Sequence, residues 1–275
     1  MVIFVATSHA QSTAPPRLLN ISTRSEVREG DNFALIGGFI VTGSVEKRVI
    51  IRALGPSLEK AGLPRILPDP TLELANSSGV VIAANDDWKK ASNAAEIQAT
   101  GLAPSNDLES AIVVRLARGQ TYTAIVRGFE SARGIALVEV YDLNNADDSQ
   151  LANISTRGLV DTGDDVMIGG FILGGGGGRS EVVVRALGFS LGQAGVTNAL
   201  DDPILELHDS NGGLLARNDD WRDTDEANIR ATGLAPSDEL ESAIVAALPA
   251  GNYTAVVAGV DGTAGVGLVE VYNLQ

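Results

Sequence analysis

Asp69-Pro70-Thr71-Leu72-Glu73-Leu74, a turn at Asn76-Ser77-Ser78-Gly79, then Asn85-Asp86-Asp87-Trp88: this stretch occurs twice. It returns as Asp202-Pro203-Ile204-Leu205-Glu206-Leu207, Asp209-Ser210-Asn211-Gly212-Gly213 and Asn218-Asp219-Asp220-Trp221. A short apolar run, an Asx- and Gly-rich turn and a second short run read as a β-hairpin. Both copies continue into Ala-Thr-Gly-Leu-Ala-Pro-Ser (99–105 and 231–237) and Glu-Ser-Ala-Ile-Val (109–113 and 241–245).

Working outward, the duplication covers almost the whole chain. Asn20-Ile21-Ser22-Thr23-Arg24 reappears as Asn153-Ile154-Ser155-Thr156-Arg157, and Ile36-Gly37-Gly38-Phe39-Ile40 as Ile168-Gly169-Gly170-Phe171-Ile172. Arg52-Ala53-Leu54-Gly55 returns as Arg185-Ala186-Leu187-Gly188, and Val138-Glu139-Val140-Tyr141 as Val269-Glu270-Val271-Tyr272. Two long, similar copies are one fold duplicated, because a solenoid needs three or more short units. The expected organisation is a residual signal segment and linker over 1–17, repeat one over 18–143, a polar linker over 144–150 and repeat two over 151–275.

In repeat one the pattern predicts strands over 18–24, 33–42, 47–54, 71–75, 80–84, 111–116, 121–127 and 135–141. One helical turn is expected over 94–100, and Gly37-Gly38 suggests a bulge. About eight short strands per repeat, at steady turn spacing, predict an all-β chain of two tandem antiparallel β-sandwich (jelly-roll-like) domains. Composition agrees. Hydrophobic residues make up 44% but aromatics only 4%, with 31 glycines, so the core is aliphatic and the turns are many. Gly174 through Gly178 reads as a flexible hairpin tip.

The formal net charge of −15 repels phosphate backbones, which argues against nucleic acid as a partner. No run approaches the roughly 20 apolar residues of a membrane span. The chain has no cysteine, so disulfides and thiolate chemistry are out. Met1-Val2-Ile3-Phe4-Val5-Ala6 followed by Ser8-His9-Ala10 has the look of the end of an export signal, which predicts a secreted or cell-surface protein.

Catalysis finds little footing. His9 and His208 are the only histidines, and no Gly-x-Ser-x-Gly elbow is present, so we expect no enzyme. The acidic loops are richer. Asn85, Asp86 and Asp87, with Asp107 and Glu109, offer the hard oxygens that calcium takes from neighbouring loops; repeat two offers Asn218, Asp219, Asp220, Asp238 and Glu241. The same side chains serve equally as turn and helix caps, and the sequence leaves both roles open. Trp88 and Trp221 would stack on sugars if exposed, but one indole per repeat at one position also suits a loop-anchoring core plug. Arg24, Arg52 and Glu139, with Arg157, Arg185 and Glu270, lie within apolar strands and so predict structural ion pairs holding the two sheets in register.

The run 69–87 and the closing runs Gly119-Gln120-Thr121-Tyr122-Thr123-Ala124-Ile125-Val126 and Ala250-Gly251-Asn252-Tyr253-Thr254-Ala255-Val256-Val257 resemble the pre-peptidase C-terminal domain of secreted bacterial proteins. Each whole repeat also resembles a module of large exported bacterial proteins marked by Asn-Ile-Ser-Thr-Arg and Asn-Asp-Asp-Trp. The resemblance implies a non-catalytic β-sandwich that accompanies other secreted domains and in some cases binds calcium; only the Asn-Asp-Asp loops match its acidic turn. The two repeats themselves read as neither protease nor hydrolase, so an accessory role to an enzyme in the same chain is not expected from residues 1–275. The resulting expectation is an exported, calcium-stabilised module of cell-surface or extracellular-matrix interaction, whose partners are surface proteins or glycans, with self-association. A carbohydrate-binding module and a subunit of an extracellular filament are the alternatives.

Overall fold

The computed structural model describes residues 14–144 and 148–274. The export-signal expectation, on residues 1–10, lies outside them. Repeat one forms β1 (Arg17–Val27), β2 (Leu35–Thr42), β3 (Lys47–Leu54), β4 (Pro70–Asn76), β5 (Val81–Asn85), β6 (Ser110–Leu116), β7 (Gln120–Gly128) and β8 (Gly134–Asp142). A short helix, α1 (Ala94–Ala99), sits between β5 and β6. Repeat two forms β9 (Gln150–Val160), β10 (Met167–Gly174), β11 (Arg179–Leu187), β12 (Pro203–His208), β13 (Leu214–Asn218), β14 (Ser242–Pro249), β15 (Gly251–Gly259) and β16 (Gly265–Leu274). Its helices are α2 (Phe189–Gln193) and α3 (Arg222–Ala231). The chain is all-β, and the pairs are antiparallel apart from that of β1 with β9.

Alternation explains the strands. Along β2, buried and half-buried residues alternate without a break, so Leu35, Phe39 and Val41 enter the core from one face. Phe39 stacks on Tyr122 at 5.8 Å between ring centroids, and Phe171 on Tyr253 at 5.3 Å. These aromatic pairs sit cross-strand, at Phe39↔Tyr122 and Phe171↔Tyr253, and pin the register of the β2–β7 and β10–β15 ladders.

The strand pairing crosses the repeat boundary. β1 bonds to β8 of its own repeat on one side and to β10 of the other repeat on the other. β9 does the reciprocal, bonding to β16 and to β2. One run of paired strands is therefore β6-β3-β8-β1-β10-β15-β12-β13 and the other is β14-β11-β16-β9-β2-β7-β4-β5, each drawing half its strands from each repeat. The two runs touch where β1 and β9 pair in parallel at Leu18↔Leu151 and Glu26↔Leu159. One apolar cluster spans both repeats, from Leu18, Phe39 and Val49 to Phe171, Val184 and Val271.

The glycine pair expected to mark a bulge does something else. Register is unbroken through Gly37-Gly38, and the shifts fall between Ile40 and Val41 and between Leu18 and Asn20. What the glycines allow is close approach by the other repeat. A Cβ on Gly170 would stand 2.6 Å from Ser22 Oγ, and one on Gly38 would stand 3.3 Å from Ser155 Oγ. At the edge of the molecule a Cβ on Gly176 would lie 2.2 Å from the carbonyl oxygen of Ala14, so the segment entering β1 lies directly on repeat two.

Candidate metal centre

Each acidic loop follows the hairpin edge strand and turns across to the opposite run of strands. Asn85 makes that turn: its Oδ1 accepts from the Ala111 N–H at 2.8 Å and its Nδ2 donates to the Asp87 carbonyl at 3.2 Å. Asn218 repeats this with Ala243 N–H and Asp220 O, both at 2.8 Å. The Ser110 hydroxyl lies 2.7 Å from Pro70 O and 3.0 Å from Asn85 O, stitching the loop to β4. These amides are spent on backbone groups and are structural.

The indoles are buried as well. Trp88 is 4% exposed and Trp221 2%, and their Nε1 groups donate to Asn106 O at 3.0 Å and Asp238 O at 2.9 Å. Cations cover their faces: Lys89 lies 5.6 Å from the Trp88 ring, while Arg222 and Arg230 lie 5.1 and 4.8 Å from that of Trp221. The sugar-stacking alternative needs an open indole face, and the structure corrects it: both rings plug the loops.

Glu109 and Glu241 are completely buried and turn inward. Glu109 Oε1 accepts from Gly55 N–H at 3.1 Å, Ser57 N–H at 2.8 Å and the Ser57 hydroxyl at 2.5 Å, and its Oε2 from Asn106 N–H at 3.3 Å. Glu241 Oε1 accepts from Gly188 N–H at 3.0 Å, Ser190 N–H at 3.1 Å and the Ser190 hydroxyl, yet its Oε2 has no partner. Asp107 is exposed and pairs with Lys89 at 2.6 Å, and Asp238 accepts from the Leu240 N–H at 3.1 Å. Glu109, Asp107 and Asp238 are therefore held by protein donors, and Glu241 through one of its two oxygens.

The structure gathers a different set, containing two residues that the sequence reading passed over. Asp69 and Asp202 stand at the Asp-Pro entries to β4 and β12, and each buries an Oδ1 without a hydrogen-bond partner. Burial, and then the charges of Asp86 and Asp87, push the Asp69 carboxyl above its ordinary value. Burial, then Asp219 and Asp220, do the same to Asp202, with Asp261 and Asp201 adding to the effect. Asp220 is raised too, by burial and then by Asp219, Asp223 and Glu239. Repulsion among neighbouring carboxylates thus adds to the effect of burial at these positions, and at Asp69 the Lys90 charge partly offsets it.

The repeats differ in how that charge is met. In repeat one, Lys90 pairs with Asp87. The matching position in repeat two is Asp223, which adds to the repulsion, and Asp219 Oδ1 is a further buried oxygen without a partner. Among the described residues no three acidic or imidazole side chains stand close enough to form a ready-made metal cage. Asp202 and Asp219 each keep one buried oxygen without a hydrogen-bond partner, and carboxylate oxygens are the donors that hard cations take.

The expected ion pairs are in place at two positions. Arg52 Nε donates to Glu139 Oε2 at 2.9 Å and its Nη1 to Leu102 O at 2.8 Å, while Tyr141 donates to Glu139 Oε1 at 2.9 Å. Arg185, Glu270, Leu234 and Tyr272 repeat the arrangement. Each pair joins neighbouring strands of one run and anchors the loop after the helix, rather than joining one run to the other. Arg24 lies half-buried on β1. Arg157 donates to the Asp31 carbonyl of repeat one at 3.4 Å, and burial pulls its guanidinium below its ordinary value. A further pair went unforeseen: Lys47, fully buried, donates to Asp142 Oδ2 at 2.9 Å and to Asn144 O at 2.8 Å.

No protein-family model and no curated protein matches the chain. Among solved structures, a DUF4785 family protein of Legionella pneumophila aligns over 99% of this chain and 89% of its own at 6% identity, with a TM-score of 0.22. The oxalate decarboxylase of Bacillus subtilis aligns over 98% and 78% at 7% identity, with a TM-score of 0.16. Similarity at this level carries no functional argument. Among the described residues no helix is long and apolar enough to cross a membrane.

Proposed function

We propose that this chain is an exported, non-catalytic β-module of cell-surface or extracellular-matrix interaction whose acidic loops take up calcium. The observation that carries the calcium reading is the orphaned, buried oxygens of Asp202 and Asp219 beside Asp220, where carboxylates repel one another with no cation to offset them. An ion there would satisfy those oxygens, relieve the repulsion and stiffen the loop between β13 and α3. In repeat one Lys90 already serves Asp87, so repeat two is the stronger site. The test is thermal unfolding in millimolar calcium and in chelator. Calcium should raise the melting temperature, since a ligand of the folded state alone stabilises it, and Asp202→Asn with Asp220→Asn should abolish the rise. No shift in the unmodified chain sinks the calcium reading.

A second reading, a subunit of an extracellular filament, is favoured by the outermost strands. β5 and β13 end the path of paired strands at opposite extremes, and each bonds to a neighbour on one side only. Val81 and Ile82 on one and Leu214 and Leu215 on the other are 46–55% exposed. Unpaired edges with apolar side chains are templates for adding strands. Light scattering across a concentration series should show growth that Val81→Lys with Leu214→Lys removes. A monodisperse chain at every concentration would dismiss this reading.

A further inference from the structure

The crossing of strands between repeats has a consequence for association. Separating the repeats would uncover the β10-facing edge of β1 and the β9-facing edge of β2, together with the reciprocal edges of β9 and β10. Those edges carry buried side chains, among them Leu18, Ile21, Phe39, Ile154 and Phe171. The junction is also bound by polar contacts that only the other repeat supplies. Ser25 Oγ donates to Leu159 O at 2.7 Å, while Ser180 Oγ at 2.5 Å and Asn273 Nδ2 at 3.1 Å both donate to Pro16 O. Arg28 pairs with Asp161 at 2.8 Å, and Asn32 bonds to Thr197 at 2.5 Å. Each repeat thus presents a recognition surface shaped for the opposite repeat.

We propose that this surface makes a second copy of the chain a partner: repeat one of one copy docks on repeat two of another, giving reciprocal strand-exchanged dimers. The complementary repeat is the occupant that the surface fits, because every bond across the junction in the dimer already exists in the closed chain. The strong negative charge of the chain does not oppose this, since exchange creates little new contact between copies. What selects the closed form is the connection between repeats. β8 and β9 both pair with β1 and are separate strands, and neighbouring strands stand about 4.8 Å apart. Exchanging an identical element between copies is a low-cost route to dimers.

The decisive experiment shortens that connection in the full chain. Removing 143–149 bonds Asp142 directly to Gln150, a single step of about 3.8 Å. The shortened chain should keep the far-UV circular dichroism of its parent but scatter light as twice the parent mass or higher multiples. A folded monomer of the shortened chain overturns the proposal. Should that variant precipitate, a second one decides: the full chain with a protease site in place of 145–147, cut after folding. Its two pieces should elute as one particle of the parent mass. Tagged and untagged cut chains, mixed in mild denaturant and returned to buffer, should yield hybrids. Pieces that elute separately, or fail to form hybrids, overturn the proposal.

Discussion

Thr23 donates to Thr156 through their hydroxyls at 2.9 Å, with both residues fully buried. They are the same position of the Asn-Ile-Ser-Thr-Arg run in the two repeats, so the bond joins the copies at the midpoint of the molecule. A buried hydroxyl needs such a partner, which helps explain a threonine among apolar strand residues.

That bond can be measured. Thr23→Val leaves the Thr156 hydroxyl buried without this partner, and the expected loss in urea unfolding is about 1–3 kcal/mol. Adding Thr156→Val should restore part of the loss, because two apolar groups of the same shape can pack together. Strictly additive losses would show that the two hydroxyls do not interact.

Asp202 predicts a pH effect whose sign follows from its raised carboxyl. A carboxyl raised in the folded state holds its proton more readily there than in the unfolded chain. Stability therefore falls as pH rises from the ordinary carboxylate value through the raised one, and the penalty is complete above the raised value. In chelator at pH 7, Asp202→Asn should raise the melting temperature, at about 2–4 °C for each kcal/mol gained in a chain of this size. The gain should shrink as the pH falls below the ordinary carboxylate value. A lower melting temperature at pH 7 would mean that the carboxylate is favourably partnered.

Glu109 and Glu241 occupy equivalent positions but should tolerate amides differently. In Glu109→Gln the new NH₂ either faces the Asn106 N–H or displaces the acceptor of the 55–57 loop, so a loss of about 1–3 kcal/mol is expected. In Glu241→Gln the NH₂ takes the place of an oxygen that has no partner, so the loss should be smaller. Chemical denaturation of the two variants provides the comparison, and equal losses would contradict it.

The Arg52–Glu139–Tyr141 cluster predicts sensitivity to removal of one partner and to alkali. Arg52→Met strands a nearly buried Glu139, for an expected cost of about 3–5 kcal/mol, and adding Glu139→Gln should recover much of it. Burial, and then the Glu139 charge, push the Tyr141 phenol up to about 12. A phenol raised in the folded state loses its stabilising difference as pH climbs past its ordinary value, so stability should fall from pH 10 upward. Ultraviolet titration of the phenolate should show ionisation delayed in the native chain; ionisation near pH 10 while the fold persists would count against this.

Much of this was legible in the residues. The duplication, about eight short strands per repeat and the near-correct bounds of those in repeat one followed from periodicity and turn chemistry, because a strand with one buried face must alternate. The Asn76 turn behaved as its chemistry requires, with Oδ1 accepting from Ser78 N–H at 3.0 Å and Val80 N–H at 3.1 Å. The Arg52–Glu139 and Arg185–Glu270 pairs were readable from charges placed within apolar runs. Asp69 and Asp202 were not, since an Asp before a Pro looks like any turn residue until its oxygen is found buried beside other carboxylates.

The sequence by itself determined the local elements and their repetition, because alternation, turns and caps act over a few residues. Only the tertiary structure decided which repeat each strand joins. β1 and β9 carry nearly the same residues, so nothing local distinguishes pairing within a repeat from pairing across it. The choice is made by long-range fit: glycines at 38 and 170 admit Ser155 and Ser22, and the hydroxyls of Thr23 and Thr156 meet where the copies join.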